Sequence, residues 1–79
     1  MTVRVTAYVL IKSNTSEVDR VKTEIERIDD VTQANIVAGD VDFIAKLLVE
    51  TPGQVKDIVA SGIQTINGVE NTQTYIAMD

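Results

Sequence analysis

What most constrains this chain is a plan played twice: strand, helix and strand, then the same again, joined at one glycine-aspartate turn. Val3, Val5, Ala7, Val9 and Ile11 alternate with Arg4, Thr6, Tyr8, Leu10 and Lys12. A period of two, rich in β-branched residues, reads as a strand. Val18, Val21, Ile25 and Ile28 then recur three and four positions apart, the narrow apolar stripe of an amphipathic helix. Ser13-Asn14-Thr15-Ser16 offers N-cap residue types ahead of it, and Asp29-Asp30 stops it. Val31 to Ala38 reads as a second strand, with Gln33 and Asn35 on one face.

At the joint, Gly39-Asp40 predicts a tight hairpin with positive φ at Gly39. Asp42 to Glu50 follows as the third strand. Phe43, Ala45, Leu47 and Val49 share one face of it; Ile44, Lys46 and Leu48 share the other. Thr51-Pro52-Gly53-Gln54 combines a cap, a proline at the first helical position and a glutamine that completes a capping box. Val55, Ile58, Val59, Ile63 and Ile66 form the second helical stripe. Gly62 inside it costs about 1 kcal/mol of helix propensity relative to alanine, which points to a close approach of helix to sheet. Asn67-Gly68 ends the helix, and Val69 to Met78 is the last strand. Sliding the chain along itself places Val3 on Val41, Ala7 on Ala45, Ile25 on Ile63 and Val31 on Val69, with no gap.

Two tandem βαβ units with right-handed crossovers interleave into an α+β, ferredoxin-like βαββαβ fold. The expected sheet is antiparallel, in the order 4-1-3-2, with both helices on one face. The first and third strands, the most apolar, take its centre. Its bare face would carry Thr6, Tyr8, Leu10, Ile44, Lys46 and Leu48. That mixture is too apolar to be left to water, so a second subunit is expected to cover it. The uncharged edge strands also invite pairing with another chain.

Residues 1–79 make a single domain with a modest core, because a chain this short buries only about 60% of its unfolded surface. There is no cysteine or histidine, which removes disulfides and Cys/His zinc sites and leaves oligomerisation as the available staple. Twelve acidic residues against seven scattered basic ones argue against a nucleic-acid partner. No apolar run approaches the roughly 18 residues that span a bilayer, and the opening residues lack a signal-peptide plan, so a cytoplasmic location is expected. A phosphate-cradling glycine loop, a nucleophile elbow and a metal-ligand cluster are all missing. Neither an enzyme nor a cofactor is expected.

The polar features that remain are few. Asp40 and Asp42 place two carboxylates at the turn, suited to an amine; a solvated hairpin accounts for them as well. A magnesium or calcium site wants more oxygen ligands than these two carboxylates. Thr72 and Thr74, at i and i+2, share a strand face. Their hydroxyls would line a pocket at a subunit contact, although β-propensity alone also explains them.

The runs Ala7-Tyr8-Val9-Leu10-Ile11, Val31-Thr32-Gln33-Ala34, Gly39-Asp40-Val41-Asp42 and Gly68-Val69-Glu70-Asn71-Thr72-Gln73-Thr74 resemble one known domain. It is the effector-binding RAM domain (regulation of amino acid metabolism) of the Lrp/AsnC transcription regulators, and the resemblance spans essentially the whole chain. It implies a βαββαβ domain whose homodimer buries sheet against sheet, with dimers assembling into tetramers and octamers. A small amino-acid-like effector would bind where dimers meet. By this resemblance Gly39, Asp40 and Asp42 supply backbone groups and a carboxylate for the amino-acid head, and Thr72 and Thr74 face the pocket from a neighbouring subunit. Two departures stand out. No helix-turn-helix precedes the domain, so the chain resembles the stand-alone form, without direct DNA binding and able to assemble with a full-length regulator. Val41 stands where the family often carries an aromatic residue. The expected function is an effector-binding and oligomerisation module for transcriptional regulation; the alternative is a structural assembly partner with no ligand of its own.

Overall fold

The alternating residues build the strands the sequence calls for. In the computed structural model, which describes residues 4–79, they form β1 (Val5–Ser13), β2 (Val31–Ile36), β3 (Phe43–Val49) and β4 (Val69–Ile76). Helix α1 (Val18–Glu26) joins β1 to β2, and α2 (Pro52–Ile58), continued by a π turn (Val59–Ile63), joins β3 to β4. Val3, expected to open the first strand, lies outside the described residues.

β1 pairs antiparallel with β3 from Val5↔Val49 to Ile11↔Phe43, and with β4 from Ala7↔Ile76 to Ser13↔Val69. β2 completes the sheet along β3, from Val31↔Leu47 to Ile36↔Phe43. The order β2-β3-β1-β4 is the expected ferredoxin-like order. One face of the sheet, with Val9, Ile11, Phe43 and Leu47, meets Val21 and Ile25 of α1 and Val55, Val59 and Ile63 of the second helix in a single core. Burial of that stripe, not helix propensity, holds such short helices in place.

Four local features differ from the sequence reading. The run Ser13 to Ser16 makes no side-chain cap on the first helical turn; Glu17 takes the cap position, and Thr15 Oγ1 accepts from the Glu17 N–H at 3.1 Å. Gly39-Asp40 is no tight hairpin. β2 ends at Ile36, β3 begins at Phe43, and Gly39 does not take positive φ. The reason lies in Asp42. Its carbonyl accepts from the Val37 N–H at 2.8 Å, while its own N–H donates to the Ile11 carbonyl at 2.9 Å. These bonds stretch the connection into a wide loop tied to β1.

The close approach at Gly62 is to the residues after α1 rather than to the sheet, for a Cβ there would stand 3.2 Å from Ile28 Cδ1. The second stripe also ends in a π turn, closed by the Gln64 N–H on the Val59 carbonyl at 2.8 Å. Two punctuation marks hold. Gln54 Oε1 accepts from the N–H groups of Glu50 and Thr51, and Gly68 takes the left-handed backbone, with φ at 105°.

Candidate functional site

Pairing between β1 and β4 sets Leu10 opposite Gln73 and Lys12 opposite Asn71. These four residues share the bare face of the sheet, at the end where the 37–42 loop arrives. Asp42 brings the loop there. Its Oδ2 accepts from the Ser13 N–H at 2.8 Å and from Ser13 Oγ at 3.3 Å, in addition to its backbone bond to β1. The result is a cleft of about 280 Å³ lined by Leu10, Lys12, Asp40, Val41, Asn71, Thr72 and Gln73. Lys12 Nζ reaches the Asp40 carbonyl at 3.4 Å, and the Asp40 side chain is exposed to solvent. One cation, one carboxylate and two side-chain amides around so small a space suit a small molecule bearing both charges.

The expected site residues are therefore only partly brought together. Asp40 and Thr72 line the same cleft. Asp42 stands behind it, its carboxylate turned to Ser13. Gly39 lies on the exposed loop with open space where a Cβ would be. Thr74 faces the other side of the strand, opposite Val9 on the helix-covered face, and lines a separate groove between α2 and β4. The Thr72 hydroxyl also leans that way, accepting from Gln64 Nε2 at 2.9 Å. Lys12, Asn71 and Gln73 were not among the expected site residues. Their polarity on otherwise strand-like runs was the available signal, but only the β1–β4 register makes them neighbours.

The bare face has the predicted character. Tyr8 faces Lys46 on β3 and Tyr75 on β4. The two tyrosines are 39% and 56% exposed, so the middle of the bare face carries two neighbouring exposed aromatic rings. Among the described residues there is no buried polar side chain and no cluster of three or more groups able to hold a metal. No helix among them is long and apolar enough to cross a membrane.

Residues 6–79 match the Lrp/AsnC ligand binding domain. The chain belongs to that family. The regulatory protein AsnC of Haemophilus influenzae is 25% identical over 69 residues, covering 87% of this chain and 46% of the relative. The leucine-responsive regulatory protein of Escherichia coli is 21% identical over 61 residues, covering 77% and 37%. The chain thus spans less than half the length of these regulators. Among solved structures, one from Thermus thermophilus superposes with a TM-score of 0.90 at 29% identity, covering 95% of this chain and 94% of the other. Escherichia coli AsnC gives 0.88 at 21% identity, covering 95% of this chain but 51% of its own. The Lrp/AsnC resemblance carried by the glycine-aspartate turn and the threonine strand is confirmed, and the ferredoxin-like fold with it.

Proposed function

We propose that this Lrp/AsnC domain is a cytoplasmic, non-catalytic module that binds a small amino-acid effector and couples it to assembly in transcriptional regulation. The observation that carries this reading is the cleft at the 37–42 loop. There the Asp40 carboxylate would take the ligand's ammonium, and Lys12 would take its carboxylate. The amides of Asn71 and Gln73 would complete the hydrogen bonds. Charge-assisted bonds of this kind are roughly twice as strong as neutral ones. Gly39 would offer only backbone groups of the loop, Asp42 fixes the loop, and Thr72 supports the cleft from β4. A Neisseria meningitidis transcriptional regulator whose structure holds L-Met shares the fold, with a TM-score of 0.82, which supports an amino acid as the effector class here.

Assembly would proceed through the bare sheet face, where Tyr8, Tyr75 and Ile44 have no cover from this chain's own helices. A homodimer is the expected unit, with tetramers, octamers or a full-length regulator as further partners. The similar Thermus chain, of which this one covers 94%, supports reading residues 1–79 as one domain.

The test is a thermal-shift survey of the twenty amino acids, paired with light scattering. A specific effector stabilises the folded form by about 2.7 kcal/mol at a hundred times its Kd and so raises Tm. Asp40→Ala should remove that shift. A survey in which no amino acid raises Tm, and in which Asp40→Ala matches the parent, would sink the effector reading. Light scattering that reports a monomer would sink the assembly reading.

A further inference from the structure

β4 has a second side that the effector cleft does not use. Between this strand and the second helix runs a groove of about 480 Å³, within the range of about 300–1,000 Å³ typical of small-molecule sites. Its lining is divided. Val55, Val59, Ala60 and Ile76 are apolar, and Ile76 is 40% exposed although it belongs to the helix-covered side of the sheet. Lys56 is the one charged residue lining it, and among the described residues Lys56 makes no ion pair. Thr74 adds an exposed hydroxyl from the strand. The π turn shapes one end, since it delivers Gln64 to the groove and bonds it across to Thr72.

We propose that this groove is a second binding site, for an aliphatic monocarboxylate. The tail would lie on Val55, Val59, Ala60 and Ile76, and the carboxylate would meet Lys56 Nζ with the Thr74 hydroxyl as a second donor. The groove has no acidic side chain in its lining, so it needs no ammonium on the ligand. That separates it chemically from the cleft at Asp40. The two chemical sources of such a ligand are a simple short-chain acid and an α-keto acid.

Calorimetric titration of the whole chain decides the matter, using isocaproate, α-ketoisocaproate and the uncharged isocaproamide as probes. Both acids should bind, with the amide at least about tenfold weaker, as expected for the loss of one charge-assisted bond. Lys56→Met should weaken the acids by about the same factor and leave the amide unchanged. Ala60→Trp should fill the groove and abolish binding of all three. Tighter binding of α-ketoisocaproate than of isocaproate would assign the site to α-keto acids; equal binding would assign it to simple acids. Acids that bind no better than the amide, or that ignore Lys56→Met, would overturn the proposal. So would Ala60→Trp changing particle size by light scattering without any probe, which would make the groove a contact between copies. If Ala60→Trp does not fold, Lys56→Met carries the test alone. The effector reading is judged apart from this one: Asp40→Ala should cancel the amino-acid response and leave the response to the acids in place.

Discussion

In the first half-repeat, α1 runs nine residues without interruption and packs against β2, whose inward Ala34 is buried. In the second, α2 gives way to a π turn and packs against β3, so that the matching edge strand β4 keeps Thr74 and Ile76 exposed on its inward side. The strands keep the register of the repeat, as do the buried stripe positions Val21/Val59 and Ile25/Ile63; what differs is the helix around them, which in the second half starts earlier and ends in a π turn. Strand positions are tied down by ladders on central β1 and β3, and the stripe positions by their burial in the shared core. The groove between the second helix and β4 lies on the half that carries the π turn.

The largest test of this contrast sits at equivalent positions in the two stripes. Ile25 and Ile63 are both fully buried, and each truncation to alanine should cost about 2–5 kcal/mol in urea denaturation. If Ile63→Ala cost less than about 1 kcal/mol, well under that range, the π turn would be a loose appendage and the comparison would fail. The turns that follow the two helices differ more sharply. Gly68→Ala would impose a left-handed backbone on alanine and set its Cβ 2.6 Å from Thr15 Cγ2. A loss of about 1–3 kcal/mol follows from such strain. The matching position in the first half is Asp30, exposed and without left-handed backbone, where Asp30→Ala should stay within about 0.5 kcal/mol.

The strands, their order and both apolar stripes were legible because period-two and helical patterns are local, and because the repeat doubled each signal. The π turn was not. Val55, Val59 and Ile63, four apart, fit an α-helical stripe and a slightly unwound one equally well. Nor could the shape of the central loop be read, since Gly39-Asp40 reads locally as a hairpin while Ile11 and Ser13, far back in the chain, decide its path. The site followed the same rule. Asp40 stood out as a charge at a turn, but Lys12, Asn71 and Gln73 join it only through strand register. Thr72 and Thr74 share the helix-covered face, yet Thr74 lines a different groove from the cleft beside Asp40.

A finer comparison separates the two aspartates of the loop. Asp42→Ala removes the bonds to Ser13 and should cost about 1–2 kcal/mol in denaturation, whereas Asp40→Ala, at an exposed carboxylate, should change stability by no more than about 0.5 kcal/mol. Equal effects would mean that Asp42 does not anchor the loop. The smallest expected effect concerns the ion pairs, which among the described residues all lie on α1 and its N-cap Glu17. Lys22 and Glu26 are partly exposed at 2.9 Å, and Lys22→Ala should cost about 0.3–0.5 kcal/mol at low salt, fading as ionic strength rises.

The place of β1 at the centre of the sheet has a consequence for the order of synthesis. A ribosome delivers β1 before the other three strands, yet one of its two neighbours, β4, is the last of the four. Until Val69 to Ile76 have emerged, this strand, with its core-forming Val9 and Ile11, has an open edge. Pairing across nearly the full sequence is slow to form, because the intervening chain must first be closed into a loop. The interval in which this protein is most open to strand-swapped or aggregated partners therefore falls during its translation, before the fold that protects it exists.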